Sequence, residues 1–189
     1  MVADGVGSAP RGASAAQHLC SRTDDFFKQP EECSFSSIKK LLSEINSEIS
    51  GWGFIENTDR PLGACSASIS WIVEDELNVF HSGDTRVWLF REGKCRSITR
   101  DHVNAEGHLI NYFGKFGMEC SCHREVLADG DRILMSSDGI LSAGMTSISL
   151  AEICSRENNS ERIVQAVAEY AYHRTQDDVT FLCIEHDLE

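Results

Sequence analysis

The sequence contains no long run of apolar residues, and none of its runs approaches the roughly 18 residues that a bilayer-spanning helix requires. It shows no signal-peptide pattern. Basic residues are also scarce: 17 Lys and Arg stand against 30 Asp and Glu, which gives a formal net charge of −13. A field of that sign repels nucleic-acid phosphates and anionic lipid headgroups, so we expect neither nucleic acid nor a membrane as a partner.

The eight cysteines lack the dense, regular spacing of a disulfide-rich secreted domain. Cys120, Cys122 and His123 resemble half of a soft-metal site, but no second Cys/His pair stands at a suitable spacing, which argues against structural zinc. No cysteine has an arginine six positions later, so the C-x₅-R loop of a cysteine phosphatase is also absent. We expect a soluble, cytoplasmic monomer with reduced cysteines.

Internal repeats and low-complexity tracts are absent as well. The chain has 189 residues, of which 41% are hydrophobic and 25% charged, and these values are ordinary for a globular domain. A chain of this length can bury a substantial core. The sequence therefore predicts one domain over residues 1–189.

The spacing of apolar residues predicts helices at the start and near the end of the chain and strands between them. Residues 10–27 form the first predicted helix, with Ala13, Ala16, Leu19 and Cys20 on its apolar face. The polar stretch "KQPEEC" ends it, and a second helix with Ile38, Leu41, Leu42, Ile45 and Ile49 on one face ends at Gly51. Later helices are predicted near residues 148–155 and 160–173.

The apolar period then changes from about 3.6 to 2 residues. The stretch "GACSASISWIV" alternates small or apolar residues with Ser66, Ser68 and Ser70. Three short strands, "LNVFHSG", "RVWLFREG" and "KCRSIT", follow after tight turns, which favours an antiparallel meander. Further strands are predicted at about 123–128, 132–137 and in "DVTFLCIEH", while "HLINYFGKFGM" fits a short helix or a loop. This order predicts an α+β fold with helices layered on a sheet or a sheet pair.

Aspartates recur beside glycine where apolar runs end. The examples are "VADG" (Asp4), "VFHSGD" (Asp84) and "ILMSSDG" (Asp138), and the pair Asp177-Asp178 comes just before the last strand. Asp and Gly are also ordinary turn residues, and "ADGD" at 128–131 is interpreted as a turn only. If the others meet at one rim, their mutual repulsion requires protons or a cation. Oxygen ligands favour Mg²⁺, Mn²⁺ or Ca²⁺, and two such ions suit attack on a phosphoester.

Four blocks of the sequence resemble, in order, those of the metal-dependent Ser/Thr protein phosphatases of type 2C (the PPM family) in their compact bacterial form. They are "VADGVGSAPRGASAAQHL", "GACSASISWIVEDELNVFHSGDTRVWLFREGKCRSITRDH", "LADGDRILMSSDGI" and "RTQDDVTFLCIE". Together they cover nearly the whole chain. The resemblance implies a sandwich of two antiparallel sheets flanked by helices, with a binuclear Mn²⁺ or Mg²⁺ site at one end.

The resemblance also implies a role for each matching residue. Asp4 would bridge two metals, Gly5 would offer its carbonyl oxygen, and Asp138 and Asp177 would ligate the first metal, with Asp84 at a third, looser metal. The implied reaction is hydrolysis of phosphoserine or phosphothreonine in proteins by a metal-bridging hydroxide, with Asp4, Asp138 and Asp177 as the catalytic residues. The implied substrates are phosphoproteins, such as the targets of a partner Ser/Thr kinase.

The sequence departs from the family pattern before the first Asp-Gly. The family's opening strand pair supplies an arginine for the substrate phosphate and an acidic ligand for the second metal, and neither maps onto this chain. We therefore expect a weakly held second metal and an open sheet edge. Arg11 is the nearest candidate for the substrate phosphate, although a solvated helix arginine is the alternative. His81, His102 and His173 are interpreted as structural or surface residues.

Two other functions fit parts of the pattern. A catalytically weak or inactive phosphatase-like module that binds a protein partner would explain the missing arginine and acidic ligand, but not four retained carboxylates. A Ca²⁺-stabilised domain would explain the carboxylates, but not the ordered series of motifs.

Overall fold

The computed structural model describes residues 1–29, 31 and 33–187. Its strands are β1 (Val2–Gly5), β2 (Cys65–Val73), β3 (Glu76–Ser82), β4 (Arg86–Arg91), β5 (Lys94–Ser97), β6 (Ser121–Val126), β7 (Asp131–Ser136) and β8 (Phe181–His186). Its helices are α1 (Gly12–Phe27), α2 (Phe35–Ser50), α3 (Gly139–Ser142), α4 (Ser147–Arg156) and α5 (Ser160–Ala171).

Two four-stranded antiparallel sheets pack face to face between two pairs of helices. The first sheet has the order β1-β2-β3-β6, and the second has the order β5-β4-β7-β8. Helices α1 and α2 cover the first sheet, and α4 and α5 cover the second. The predicted α+β class, with its αββα sandwich, is confirmed.

Each of the three interfaces between these layers has its own apolar core. Leu19, Ile45 and Phe80 belong to the core under α1 and α2, and Trp88 and Val167 belong to the core under α4 and α5. Between the sheets lie residues from both, including Leu77, Val87, Ile133 and Met135. Strands of the two sheets are thus covered on both faces. For this reason the face of β2 that carries Ser66 and Ser68 is buried as well.

Helix α2 follows the predicted pattern closely. The five predicted apolar residues are all buried, and Ser34 caps the helix by accepting a hydrogen bond from the backbone N–H of Ser37. Helix α1 begins at Gly12 rather than at Pro10, which lies in the preceding turn. Its buried face contains Ala15, Leu19 and Thr23, which follow one another at a spacing of four residues, and Ala13 lies outside this row and is exposed. Residues 30 and 32 of the predicted break lie outside the described residues.

The predicted meander is wrong at one turn. Strands β2 and β3 pair, and so do β4 and β5, but β3 pairs next with β6 and β4 pairs next with β7. The segment Gly83–Thr85 therefore crosses from one sheet to the other instead of closing a hairpin. Residues 108–118 form a loop, and the one-turn helix α3 was not predicted.

In the described part of the chain, no helix combines the length and the apolar character that a membrane span requires.

Candidate metal centre

Four aspartates approach each other at one end of the sandwich, and each comes from a different segment. Asp4 lies near the end of β1, Asp84 in the crossover between the sheets, Asp138 between β7 and α3, and Asp177 just before β8. The carboxyl groups of Asp4 and Asp138 are near enough to influence each other's ionisation, and Asp84 and Asp177 are near enough to repel both. The four carboxylates therefore interact electrostatically, and their predicted role as ligands of one metal site stays a prediction.

The electrostatics of this cluster oppose full ionisation. Partial burial, followed by the charges of Asp138, Asp177 and Asp84, raises the pKa of Asp4 to about 7. Partial burial and the charges of Asp84 and Asp177 also raise the pKa of Asp138. Like charges held this close are stabilised by a shared proton or by a cation between them.

Asp84 is fixed by β2 and by the loop after β5. Its Oδ1 accepts a 2.6 Å hydrogen bond from Ser66 Oγ, and Ser66 is directly opposite Asp4 in the β1–β2 pair. The preceding Gly83 donates its N–H to His102 Nδ1 at 3.1 Å, and its carbonyl oxygen accepts the N–H of His102 at 2.8 Å. Asp84 is thereby held on the same side of the first sheet as Asp4.

The Asp138 turn and the loop that carries Asp177 are tied together by their backbones. Ser137 Oγ donates to the carbonyl oxygen of Asp178 at 3.2 Å and accepts the N–H of Thr180 at 3.0 Å. A Cβ on Gly139 would lie 2.3 Å from that same carbonyl oxygen, so only glycine allows this close approach. Asp177 itself is exposed, and its Oδ1 accepts the N–H of Asp178.

Gly5 allows β1 to lie directly against the start of α1. A Cβ at this position would be 2.5 Å from the carbonyl carbon of Gly12 and 2.7 Å from the nitrogen of Ala13. Val6 also donates its N–H to the carbonyl oxygen of Ala64 at 3.0 Å, which joins the turn after Asp4 to the segment before β2. The turn that presents Asp4 is therefore held on two sides.

Arg86 and His81 already have hydrogen-bond partners. Arg86, at the start of β4, forms a two-pronged pair with Asp101 at 2.8 and 2.6 Å. His81 is fully buried: its Nδ1 contacts Ser68 Oγ at 3.0 Å, and its Nε2 lies 3.2 Å from the carbonyl oxygen of Arg100. Because that oxygen can only accept, the proton of the neutral ring is on Nε2, which fits the predicted structural role.

Arg11 is not among the residues that line the cavity beside Asp84. Its guanidinium carbon lies 4.0 Å from the ring centroid of Trp52, and its backbone N–H is bound by the carbonyl oxygen of Leu62. The proposed contact of Arg11 with a substrate phosphate stays a prediction.

The donor set fits a hard divalent cation. All four side chains offer carboxylate oxygens, which Mg²⁺ and Mn²⁺ prefer, and the raised pKa values of Asp4 and Asp138 show negative charge in excess of what the site neutralises by itself. No three Asp, Glu, His or Cys side chains among residues 1–29, 31 and 33–187 are close enough to form a ready-made metal cage.

Sequence reasoning missed the residues that hold the carboxylates in place. Ser66 and Ser137 act through their hydrogen bonds, and nothing in their own motifs marks them. The available signal for Ser66 was the alternation of "SASIS", which places serines on one face of a buried strand. Most buried hydroxyl groups have a hydrogen-bond partner, and for Ser66 that partner is Asp84.

The fold resembles bacterial phosphatases of known structure. The S. agalactiae serine/threonine phosphatase matches with a TM-score of 0.82 and 19% identity, over 98% of this chain and 85% of that one. Serine/threonine phosphatase Stp1 from Staphylococcus aureus matches with a TM-score of 0.81 and 15% identity, over 98% and 82%. The catalytic domain of the phosphatase PstP, solved in complex with 2 manganese ions, matches with a TM-score of 0.70 and 19% identity, over 98% and 86%.

A search of curated proteins found no match to this sequence. A family model described as protein phosphatase 2C matches residues 1–179. That match covers the first three motif blocks, the beginning of the fourth and all four aspartates. The chain therefore belongs to the protein phosphatase 2C family.

Proposed function

We propose that this chain hydrolyses phosphoserine and phosphothreonine in proteins, with Mn²⁺ or Mg²⁺ bound by the four aspartates. The observation that carries the proposal is the convergence of Asp4, Asp84, Asp138 and Asp177 from four separate segments at one end of the sandwich. Without a cation, repulsion between these carboxylates destabilises the folded protein. A role in binding the divalent ions that hydrolyse a phosphoester would explain why the carboxylates are present.

Each residue has a distinct task in this proposal. Asp4, with the carbonyl oxygen of Gly5, would hold two ions together, Asp138 and Asp177 would complete the first, and Asp84 would hold a third more loosely. Bound divalent ions lower the pKa of water and neutralise the phosphate. The chain's own contribution is to fix the carboxylates: Ser66 orients Asp84, and Ser137 joins the turn of Asp138 to that of Asp177.

The alternative is a phosphatase-like module that binds a phosphoprotein with little or no turnover. Its support is the absence, within the described residues, of three carboxylates close enough to form a metal cage. It also agrees with Arg86, whose guanidinium is occupied by Asp101. The exposed position of Asp177 leaves room for the cluster to contract around an ion, and this favours the enzyme.

Phosphate release distinguishes the two functions. We expect the wild-type chain, with millimolar Mn²⁺, to hydrolyse p-nitrophenyl phosphate and a phosphothreonine peptide, and we expect Asp4→Asn and Asp138→Asn to abolish turnover of both. Asp129→Asn is the matched control, because β7 separates Asp129 from Asp138. No turnover by the wild-type chain, combined with binding of the phosphopeptide, would favour the inactive module.

A further inference from the structure

A cleft opens beside Asp84 and has its own unpaired cation. Its volume is about 350 Å³, within the range of small-ligand sites. One wall comes from the turn after Asp4 and from the loop before β2, which contributes Arg60 and Pro61. The other wall comes from the loop after β5, with His108 and Tyr112. The cleft therefore extends outward from the carboxylate cluster, where a substrate's neighbouring residues would lie.

Arg60 lines this cleft, and its exposed side chain is oriented by a hydrogen bond. Its Nη2 donates a 2.7 Å hydrogen bond to the carbonyl oxygen of Ser8, which lies in the turn that follows Asp4. Its backbone is also held, because its carbonyl oxygen accepts the N–H of Ile55 at 2.8 Å and its N–H donates to Thr58 Oγ1 at 3.2 Å. The bond to Ser8 uses one donor of the guanidinium group and leaves the others available.

Among the described residues, no carboxylate lies within ion-pair distance of Arg60. The imidazole of His108, which also lines the cleft, lies 3.4 Å from Glu106. Arg60 is therefore the charge in this cleft that an incoming anion can bind without displacing a partner. The chain has a net charge of −13, so most of its surface repels anions. An oriented arginine without an ion-pair partner beside the proposed active site is therefore a local exception that can attract an anion.

We propose that Arg60 selects phosphoprotein substrates that have an acidic residue next to the phosphorylated one. This inference rests on the proposed function, because the phosphate must occupy the carboxylate site for the neighbouring residue to enter the cleft. The planar guanidinium binds a carboxylate with two parallel hydrogen bonds, and the bond to Ser8 reduces the freedom lost on binding. Arg60 is thus a specificity-determining residue.

The preference for acidic neighbours can be tested with two phosphothreonine peptides. One has Glu on both sides of the phosphothreonine, and the other has Gln at the same two positions. For the wild-type chain with Mn²⁺ we expect kcat/KM to be about tenfold higher for the Glu peptide, as one charge-assisted pair would give. Arg60→Ala should bring the ratio close to one, Arg60→Glu should invert it, and Arg60→Lys should restore part of it. Arg162→Glu, an exposed arginine on α5, changes the net charge equally and should leave the ratio unchanged.

The ratio of kcat/KM values for the two peptides distinguishes a role of Arg60 in substrate specificity from a purely structural role. If Arg60 only supports the Ser8 turn, its variants will slow both peptides equally and keep the ratio, and this result would overturn the inference. Equal wild-type rates for the two peptides would overturn it as well. If the wild-type chain does not hydrolyse p-nitrophenyl phosphate, the proposed function fails separately. Fluorescence anisotropy with the same two labelled peptides then decides whether Arg60 prefers the acidic one.

Discussion

Ser66 connects the strand of Asp4 to the side chain of Asp84. It lies opposite Asp4 in the β1–β2 pair, it is 2% exposed, and its hydroxyl donates to Asp84 Oδ1 at 2.6 Å. A hydrogen bond to a charged group is worth about 1.5–3 kcal/mol. We expect Ser66→Ala to lower the free energy of unfolding by about 2 kcal/mol, measured by urea denaturation at neutral pH.

The same strand provides the control. Ser70 lies on the same face of β2, but its Oγ is buried without a hydrogen-bond partner among the described residues. Ser70→Ala removes no such bond, so it should leave the stability unchanged or slightly higher. Equal losses in the two variants would contradict the role given to Ser66.

His81 makes stability depend on pH. Burial, followed by the nearby His102, lowers the pKa of His81 from its ordinary value of 6.5 to about 4. The unfolded chain therefore binds a proton in this range that the folded chain does not, and the free energy of unfolding falls as the pH drops from 6.5 towards 4. At about 1.36 kcal/mol per pKa unit, His81 accounts for a loss of about 3 kcal/mol.

Chemical denaturation of the wild-type chain and of His81→Gln, at several pH values from 7 to 4, measures this loss. Gln does not titrate, so we expect the wild-type advantage at pH 7 to shrink steadily towards pH 4. A stability difference that stays constant with pH would contradict the assignment of a neutral, buried imidazole.

At the scale of single residues, the sequence predicts those candidate ligands that also lie in a recognisable turn motif. An Asp beside a Gly at the end of an apolar run can be recognised in the sequence alone, and so Asp4, Asp84 and Asp138 could be proposed directly. Ser66 and Arg60 could not, because their roles arise from the β1–β2 register and from a loop that folds back onto the Ser8 turn. Arg11 was chosen for its nearness in sequence, whereas its side chain lies on Trp52.

At the scale of elements, the contact between β1 and α1 sets the position of Asp4. Gly5→Ala would place a Cβ 2.5 Å from the backbone of Gly12, and backbone atoms cannot yield as a flexible side chain does. Forced repacking of this kind costs about 1–3 kcal/mol. We expect a corresponding fall in the urea midpoint and a loss of phosphatase activity.

Gly7 is the matched control for that substitution. A Cβ at Gly7 would meet no atom within 4 Å, and this glycine does not have a positive φ. Gly7→Ala should therefore retain both the stability and the activity of the wild-type chain. Equal effects at the two positions would show that the contact with α1 does not hold the turn.

The strands themselves were predictable, but their partners were not. Alternation and turn residues indicate where β2 to β5 lie to within a few residues. The short segment Gly83–Thr85 has the composition of a hairpin turn, yet it crosses between the sheets because both faces of β3 and β4 must be buried. This crossover places Asp84 beside Asp4, so the prediction failed at a feature that builds the candidate site.

For the whole molecule, the order of helices and strands predicts the layered class, because each amphipathic helix must cover a sheet face. The sequence cannot predict how far apart the four carboxylates lie, since their positions depend on strand pairing and on loop contacts such as the bonds of Ser66 and Ser137. The central claim is that these carboxylates form one site for divalent cations.

Calorimetric titration with Mn²⁺ tests that claim most directly. It is best performed at pH 8, where protons compete less because the pKa of Asp4 is about 7. We predict saturable binding to the wild-type chain and to Asp129→Asn, and much weaker binding to Asp4→Asn and Asp138→Asn. Wild-type binding that persists unchanged in Asp138→Asn, or a wild-type chain without saturable binding, would contradict the account.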